Sequence, residues 1–501
     1  MSYGTIAAAL AQAVDRSGDA EAFVFPTARL TFRQLAERSR AVARAFLAAG
    51  IGRGDRVAVW LAGHPEWPEL YFGLASIGAI LVPVNTRYKP HEVEYVLEKS
   101  GARVLVFKDE VAGGKRYGAI LAEATLPSVE RVVTIGADYE DFVAEGAAID
   151  ERQLAEAMTQ VTAGDTAILQ FTSGTTAFPK GAELYQAGIL LGAQATTATL
   201  ELSAQDRFFS PQPFYHAGGS VMVMLCPLVT GCPVVVQPYF DATEALELME
   251  RERCTATMGH QPHWIEYLNH PDLPRRELRL RKAMLFASPD VNRMVHERLG
   301  IDLLSPYGMT ETHLGGTSCR LSDPLDARLS TVGRPMPGLE MKLVEGEVCF
   351  RGPLLMKGYF RDPERTAEAI DAEGWLHSGD LGVLGDDGNL RLIGRLKEMV
   401  RVGGENVAAA EVEGWLLRHQ AVKQAVYVGR PDQRLGEVGV AFVELKAGAA
   451  ASEADLIAHC REGLASFKVP RAVRLVSDWP MSGTGKIQKF LLAEAAREPS
   501  A

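Results

Sequence analysis

Apolar residues recur along the first third of the chain in two alternating rhythms. In LTFRQLAERSRAVARAFLAAG they return every three to four positions, the spacing of one helix face, whereas GDRVAVWL and ARVLVF are short apolar runs bounded by charge and glycine. PELYFGLASIGAILVPV, VERVVTIG, TAILQF and CPVVVQP continue the series. Short apolar strands with helical patterns between them predict an α/β fold around mostly parallel sheets covered on both faces. The opening MSYGTIAAALAQAVDRSGDAE has no basic region and soon turns acidic, so it reads as an amphipathic first helix and not as an export signal.

Beyond about residue 325 the pattern shifts to glycine-punctuated strands, GLEMKLVEGEVCFRG and GNLRLIG, as expected of a smaller β-rich subdomain. After Arg395, KEMVRVGGENV leads into AAAEVEGWLLRHQ, QAVYVGRP and VGVAFVEL, a mixture of helix and strand patterns over a short span. A boundary at Gly394 to Glu398 follows. The expected architecture is a large N-terminal domain of stacked α/β sheets with a β-rich subdomain (1–394), plus a small α+β C-terminal domain (395–501).

At 501 residues the chain exceeds what one core usually organises. Its 47% hydrophobic and 23% charged content is that of a soluble globular protein. A net charge of -11 argues against a broad grip on nucleic acid or anionic lipid. The 6 cysteines contain no CxxC pair, which suggests neither a zinc site nor a disulfide framework and points to a reducing compartment, the cytoplasm. Residues 217–240 carry no charge and are long enough to cross a bilayer. Gly218, Gly219, Pro227, Gly231, Pro233 and Pro238 divide that stretch into short pieces, which makes it buried core and not a membrane span.

Four loops carry candidate chemistry. FTSGTTAFPKG (171–181) follows the strand TAILQF, and in α/β proteins ligands bind beyond strand ends. Ser173, Thr175 and Thr176 offer hydroxyls, Gly174 lets backbone N–H groups form an anion nest, and Lys180 adds charge. The stretch suits a polyphosphate without matching the P-loop pattern; alone it could equally be a surface Ser/Thr turn. SPYGMTET (305–312) would set Tyr307 against a flat ring, let Thr310 donate to a phosphate and let Glu311 hold Mg2+. In GWLHSGD, Asp380 can accept from both hydroxyls of a ribose, with Arg395 donating to the same sugar. PMSGTGKIQK (480–489) presents Lys486 on a glycine-rich loop near the chain end, where a lysine ordinarily means only solvated surface.

These four stretches, in this order and spacing, resemble the adenylate-forming superfamily, and within it the fatty and carboxylic acid CoA ligases. The likeness runs from LTFRQLAERS through PVNTRYKPHEVEYVL to the terminal lysine loop. It implies a reaction in two steps: a carboxylate attacks the α-phosphorus of ATP to give acyl-adenylate and diphosphate, and the thiol of CoA then displaces AMP. The resemblance assigns Thr172, Ser173, Gly174, Thr175, Thr176 and Lys180 to the phosphates, with Thr310 on the α-phosphate and Lys486 bridging carboxylate and phosphate. Mg2+ would lie on Glu311 and Thr176. Tyr307, Gly308, Met309, Ser288 and Pro289 would surround adenine, and Asp380 and Arg395 would fix the ribose.

His216, in PFYHAGG, matches a gate between acyl pocket and CoA tunnel, and Gly403 and Gly404 match the glycine loop of that tunnel. Lys397 sits at the hinge on which the C-terminal domain swings between steps. Tyr215, His216, Gly218, Gly219, His260, Trp264, Phe286 and His313 fall at acyl-pocket positions, implying an uncharged hydrophobic acid, medium-chain or a compact ring system. The expected partners are a small carboxylic acid, ATP and CoA, with no nucleic acid, no membrane span and a homodimer allowed.

Departures from the family pattern are local. Ala177 replaces a usual glycine; at positive φ its Cβ would cost about 1 to 2 kcal/mol. Phe286-Ala287-Ser288-Pro289 stands where relatives show Gly-Gly-Ala-Pro, so Phe286 either fills part of the pocket or turns outward. MGHQPHW places His260 and His263 in the same region, as pocket lining and not as a zinc pair, and Ala409 replaces a usual proline. Alternatives to a CoA ligase are an aryl acid ligase, an enzyme loading a carrier protein, and, from another class, a non-catalytic nucleotide-binding relic.

Overall fold

The computed structural model describes residues 4–112, 115–172, 179–403, 405–481 and 487–497. Two compact units emerge, Met1–Glu340 with Phe350–Leu376, and Met341–Cys349 with His377–Ala501.

The first unit is the expected α/β body. A seven-stranded sheet runs in the order Asp302–Leu304, Lys282–Phe286, Ala256–His260, Phe208–Ser210, Val234–Val236, Glu21–Val24, Arg29–Thr31. All its neighbours are parallel except the last hairpin. A six-stranded sheet orders Lys180–Tyr185, Thr166–Thr172, Ile80–Pro83, Arg56–Trp60, Val104–Lys108, Arg131–Ile135, again parallel but for its first pair.

Helix signals in the sequence act where they stand. Ile6–Ser17 is capped by the Thr5 side chain and buries Ile6, Ala9, Leu10 and Ala13, one face at helical spacing. Phe32–Ala48 opens with a reciprocal capping box between Thr31 and Gln34. Residues 217–240 form a wide turn at Gly218–Val223, a short helix Met224–Thr230 and the strand Val234–Val236, mostly buried, as core requires. Gly219 is obligatory there, because a Cβ would fall 2.2 Å from the Pro213 carbonyl oxygen. No helix among the described residues is long and apolar enough to cross a membrane.

The glycine-punctuated region gives a four-stranded sheet, Glu340–Val344, Glu347–Arg351, Leu376–Leu384, Leu390–Arg395, in sequence order. The second unit also contains a sheet of Glu405–Ala408, Met399–Val402, Gly436–Leu445 and Val422–Asp432, with Ala472–Leu475 parallel to Gly436–Leu445, and the helices Ala409–Leu417, Glu453–Gly463 and Lys489–Arg497. This compact unit begins ahead of the boundary expected at 394–398. The reason is local: a Cβ on Gly394 would stand 3.4 Å from Ala408 Cβ and 3.5 Å from Met399 Sδ, so the hairpin ending at Arg395 packs with the segment that follows it.

Candidate active site

The phosphate-like loop is the connection of an antiparallel pair. Lys180 lies opposite Thr172 in register, and Thr172 Oγ1 donates to the Lys180 carbonyl at 3.4 Å, so both ends of the loop are held together. Ser173, Gly174, Thr175, Thr176 and Ala177 lie outside the described residues. The Lys180 ammonium stands 4.7 Å from the centre of the Tyr359 ring. The Tyr359 hydroxyl in turn donates to Glu311 Oε1 at 2.9 Å. Burial, reinforced by the Glu311 charge, pushes the Tyr359 phenol above its ordinary pKa, so it stays a proton donor to the carboxylate. Tyr359 is fixed in turn by a β-bridge to Ala182 and by its N–H to Thr366 Oγ1 at 2.8 Å. Thus a lysine from the first motif and a glutamate from the second share one aromatic residue that the motifs did not single out.

The second motif is built by close backbone approach. Tyr307–Gly308 pairs with Gly316–Ser318, and a Cβ on Gly308 would sit 2.2 Å from the Leu314 carbonyl oxygen. Thr310–Thr312 forms one tight turn, in which the Met309 N–H donates to Thr312 Oγ1 at 3.1 Å. The Glu311 backbone carbonyl accepts from Met356 N–H at 2.7 Å, which locks the turn to the MKGYF segment. Tyr307 is buried, its ring 5.8 Å from that of Phe350, while Thr310 is partly exposed.

His313 departs from expectation. It is fully buried at positive φ; its Nδ1–H donates to the Leu354 carbonyl at 2.8 Å, and Nε2 accepts from the Tyr185 N–H at 3.2 Å. Burial pushes its pKa down to about 4. With both ring nitrogens used, His313 is a neutral core histidine that offers a ligand nothing. The Trp264 ring packs in the core, 1% exposed, but its Nε1 is left without a hydrogen-bond partner.

Around the other acyl positions, Gln170 on the strand Thr166–Thr172 reaches the PFYHAGG loop. Its amide donates to the Tyr215 carbonyl at 2.7 Å and its carbonyl accepts from Ser220 Oγ at 3.0 Å, which fixes the backbone from which His216 projects. The Tyr215 and His216 rings lie 4.9 Å apart, and Gly218 stands beside Gln212. Phe286, paired with His260 in register, turns its ring to within 5.1 Å of the His260 ring. Ser288 stands at the N-terminal cap position of the helix Pro289–Leu299 without a side-chain capping bond, and its N–H donates to Gln261 Oε1 at 3.1 Å.

In the second unit Asp380 and Arg395 face each other across the hairpin, and Arg395 Nε meets Asp380 Oδ1 at 2.8 Å. The turn that carries Asp380 is held by a residue the motif did not reveal. Glu347 Oε1 accepts from the Gly379 N–H at 2.8 Å, and Oε2 accepts from His377 Nδ1 at 2.8 Å. Gly379 has φ +72, the left-handed region that favours glycine. Cys349 Sγ lies 3.6 Å from His377 Nδ1, so Glu347, Cys349 and His377 form a group with potential metal ligands. Both carboxylate oxygens are already engaged in orienting the turn, and we read the group as positional.

Gly403, of the expected CoA loop, has φ +61 and lines an open cavity of about 1150 Å³ with Arg430, Arg434 and Arg471. Gly404 and Lys486 lie outside the described residues. The chain is pinned on both sides of 482–486 by the bridge of Met481 to Ile487. Just beyond, Lys489 meets Glu398 at 2.7 Å and Glu413 at 3.0 Å. Burial opposes its charge, but the two carboxylates outweigh that and raise its pKa. Lys397 belongs to the short turn Leu396–Glu398. Ala409 is the first residue of the helix Ala409–Leu417, the position where proline is best tolerated, which explains how either residue serves there.

The comparison with family models decides the assignment: the AMP-binding enzyme model matches residues 10–360, and the AMP-binding enzyme C-terminal domain matches 411–486. The chain belongs to the AMP-binding enzymes. Within this family it is similar to 3-[(3aS,4S,7aS)-7a-methyl-1,5-dioxo-octahydro-1H-inden-4-yl]propanoyl:CoA ligase of Mycobacterium tuberculosis, 38% identical over 502 residues, 98% of each chain. It is also similar to the mitochondrial medium-chain acyl-CoA ligase ACSF2 of Homo sapiens, 30% identical over 93% of this chain and 83% of that one. Among solved structures, the anthranilate CoA ligase AuaEII in complex with anthranoyl-AMP superposes with a TM-score of 0.89, at 28% identity over 99% of this chain and 98% of that one. This AMP-binding enzyme stands in the acyl-CoA ligase branch of the adenylate-forming superfamily and is an AMP-forming acid–CoA ligase with ATP and CoA as substrates.

Proposed function

We propose that the Lys180–Tyr359–Glu311 chain is the diphosphate end of the ATP site, and this arrangement is the observation that carries the assignment of roles. Lys180, with the hydroxyls of Ser173, Thr175 and Thr176, holds the β- and γ-phosphates. Glu311 fits Mg2+, since its carboxylate oxygens are hard donors and its hydrogen-bond partner Tyr359 is a neutral phenol. Bound there, Mg2+ would neutralise phosphate charge. Tyr307 lies against adenine, and Asp380 accepts from the ribose hydroxyls with Arg395 beside it.

Adenylation brings an anion to a polyanion. A carboxylate oxygen of the acid forms the new bond to the α-phosphorus while the bond to the bridging oxygen of diphosphate breaks. Lys486 is assigned the role of stabilising the charge that develops in the transition state. The thiol of CoA then attacks the acyl carbon and AMP leaves. For CoA we assign His216 in the first unit as the gate and Gly403 in the second as the glycine loop; the three arginines near Gly403 suit phosphate groups. The hinge at Lys397 exchanges the two faces of the C-terminal domain. Six buried, free cysteines suit a reducing compartment, which we take to be the cytoplasm.

The acid is hydrophobic and compact, a medium chain or a bulky ring, because Phe286 stands where the family pattern has glycine and occupies space against His260. ATP–diphosphate exchange over a panel of straight-chain, aryl and fused-ring acids tests the assignment. Exchange with at least one class, followed by CoA-dependent AMP release, supports it; ATP binding without exchange for any acid means a nucleotide-binding relic. Phe286→Gly should extend acceptance to longer chains, and an unchanged chain-length profile would remove Phe286 from the pocket.

A further inference from the structure

A pocket for a plain hydrocarbon acid needs no hydrogen-bond donors, yet polar groups gather at three successive strand ends of the seven-stranded sheet. Gln212 follows Phe208–Ser210, Trp264 follows Ala256–His260, and Ser288 follows Lys282–Phe286. Gln212 Nε2, Trp264 Nε1 and Ser288 Oγ are all buried without a hydrogen-bond partner. Gln212 and Trp264 are 4% and 1% exposed. These strands are adjacent and parallel, so the three groups stand at one end of the sheet, the end where such folds bind ligands.

His263, in the first turn of the helix Gln261–Asn269, adds an ordered donor to the same end. The His260 backbone N–H donates to His263 Nδ1 at 3.3 Å. Nδ1 is therefore the acceptor of the neutral ring, and the proton resides on Nε2. Burial, and then the neighbouring His260 and Arg87, push the His263 pKa down to about 3, so this tautomer persists through the physiological range. Arg87 lies within charge-interaction range of both His263 and Tyr215. The ring is flanked by Phe240 at 4.4 Å, and His260 by Phe286 at 5.1 Å. The result is a neutral N–H donor set among flat aromatic walls.

We propose that the corner 258–264 reads an oxygen on the far part of the acyl group, a ring ketone or hydroxyl, through His263 Nε2–H, and so selects oxygenated compact-ring acids over hydrocarbon acids. This rests on the acid–CoA ligase reading above. A carbonyl oxygen accepts from the imidazole and remains neutral, matching a site with a neutral donor. A hydrocarbon at the same place would leave the donor dry and unpaired, and sites built to hydrogen-bond a substrate discriminate strongly against analogues lacking that group.

The test compares kcat/KM for CoA-ester formation with two acids, a fused bicyclic ketone bearing a propanoate arm and the same acid with the ketone replaced by methylene. The wild type should favour the keto acid by about tenfold or more. His263→Phe, which keeps a flat ring and removes the donor, should bring the ratio to one or invert it, because the methylene acid is cheaper to desolvate. His263→Gln, which retains an N–H, should hold an intermediate ratio. A wild-type ratio near one, or a ratio unchanged in His263→Phe, overturns the inference while leaving the ligase intact. Failure to release AMP with any acid, straight-chain acids included, overturns the ligase reading and this one with it.

Discussion

Two buried carboxylates, one in each compact unit, are held in opposite ways. Glu311 is 7% exposed and receives a hydrogen bond from a neutral phenol, Tyr359. Asp380 is 6% exposed and is paired with the Arg395 guanidinium across a β-ladder. A carboxylate met by a neutral donor is left uncompensated and suits a cation; one already paired with arginine is largely compensated and is better suited to accept from neutral hydroxyls. On the roles proposed above, the same functional group would serve a metal in one unit and a sugar in the other, and the partner would make the difference.

Removing the charge at each position is the strongest challenge to that contrast. Glu311→Gln should lower kcat for adenylation by about 10² to 10³, the size of losing one electrostatic stabiliser of a transition state, as measured by ATP–diphosphate exchange. Asp380→Asn should instead raise KM for ATP by about tenfold to a hundredfold with a smaller change in kcat, as expected for one hydrogen bond to a charged group. If both variants move the same parameter, the two carboxylates do not have separate tasks.

The supports around them should give smaller effects of the same kinds. Glu347→Gln keeps the shape but can no longer accept from both His377 and Gly379, so KM for ATP should rise about fivefold through loosening of the Asp380 turn. Steady-state kinetics should find kcat nearly unchanged, and Glu347→Asp should rescue part of the loss. Tyr359→Phe removes only the hydroxyl that orients Glu311, and kcat should fall about threefold, with KM for the acid unmoved. A Tyr359→Phe effect as large as that of Glu311→Gln would show the phenol to be part of the chemistry.

The motif loops stood out in the sequence because each is a contiguous run of residue types suited to anion or sugar binding. Their supports were not. Glu347 and Gly379 are 32 positions apart and Tyr359 and Glu311 are 48 apart, so no local pattern links them. GEVCFRG was legible only as a strand, and MKGYF carried no signal that singled it out. His313 was misjudged for the reverse reason: it follows directly on SPYGMTET, yet positive φ at residue 313 turns its ring into the core, where Leu354 and Tyr185 use both nitrogens. The domain boundary was placed where composition changes, while packing of Gly394 on Ala408 carries the compact second unit further back.

The order and content of the binding loops, the alternation of helix and strand, the capped first helices and the acid–CoA ligase family are all written in runs of neighbouring residues, because period, capping and loop chemistry act over a few positions. Which donor faces which carboxylate, which histidine is spent in the core and which ring nitrogen of His263 carries the proton are contacts across the fold. They depend on burial and on partners far along the chain, and they exist only once the strands have brought those residues to one place.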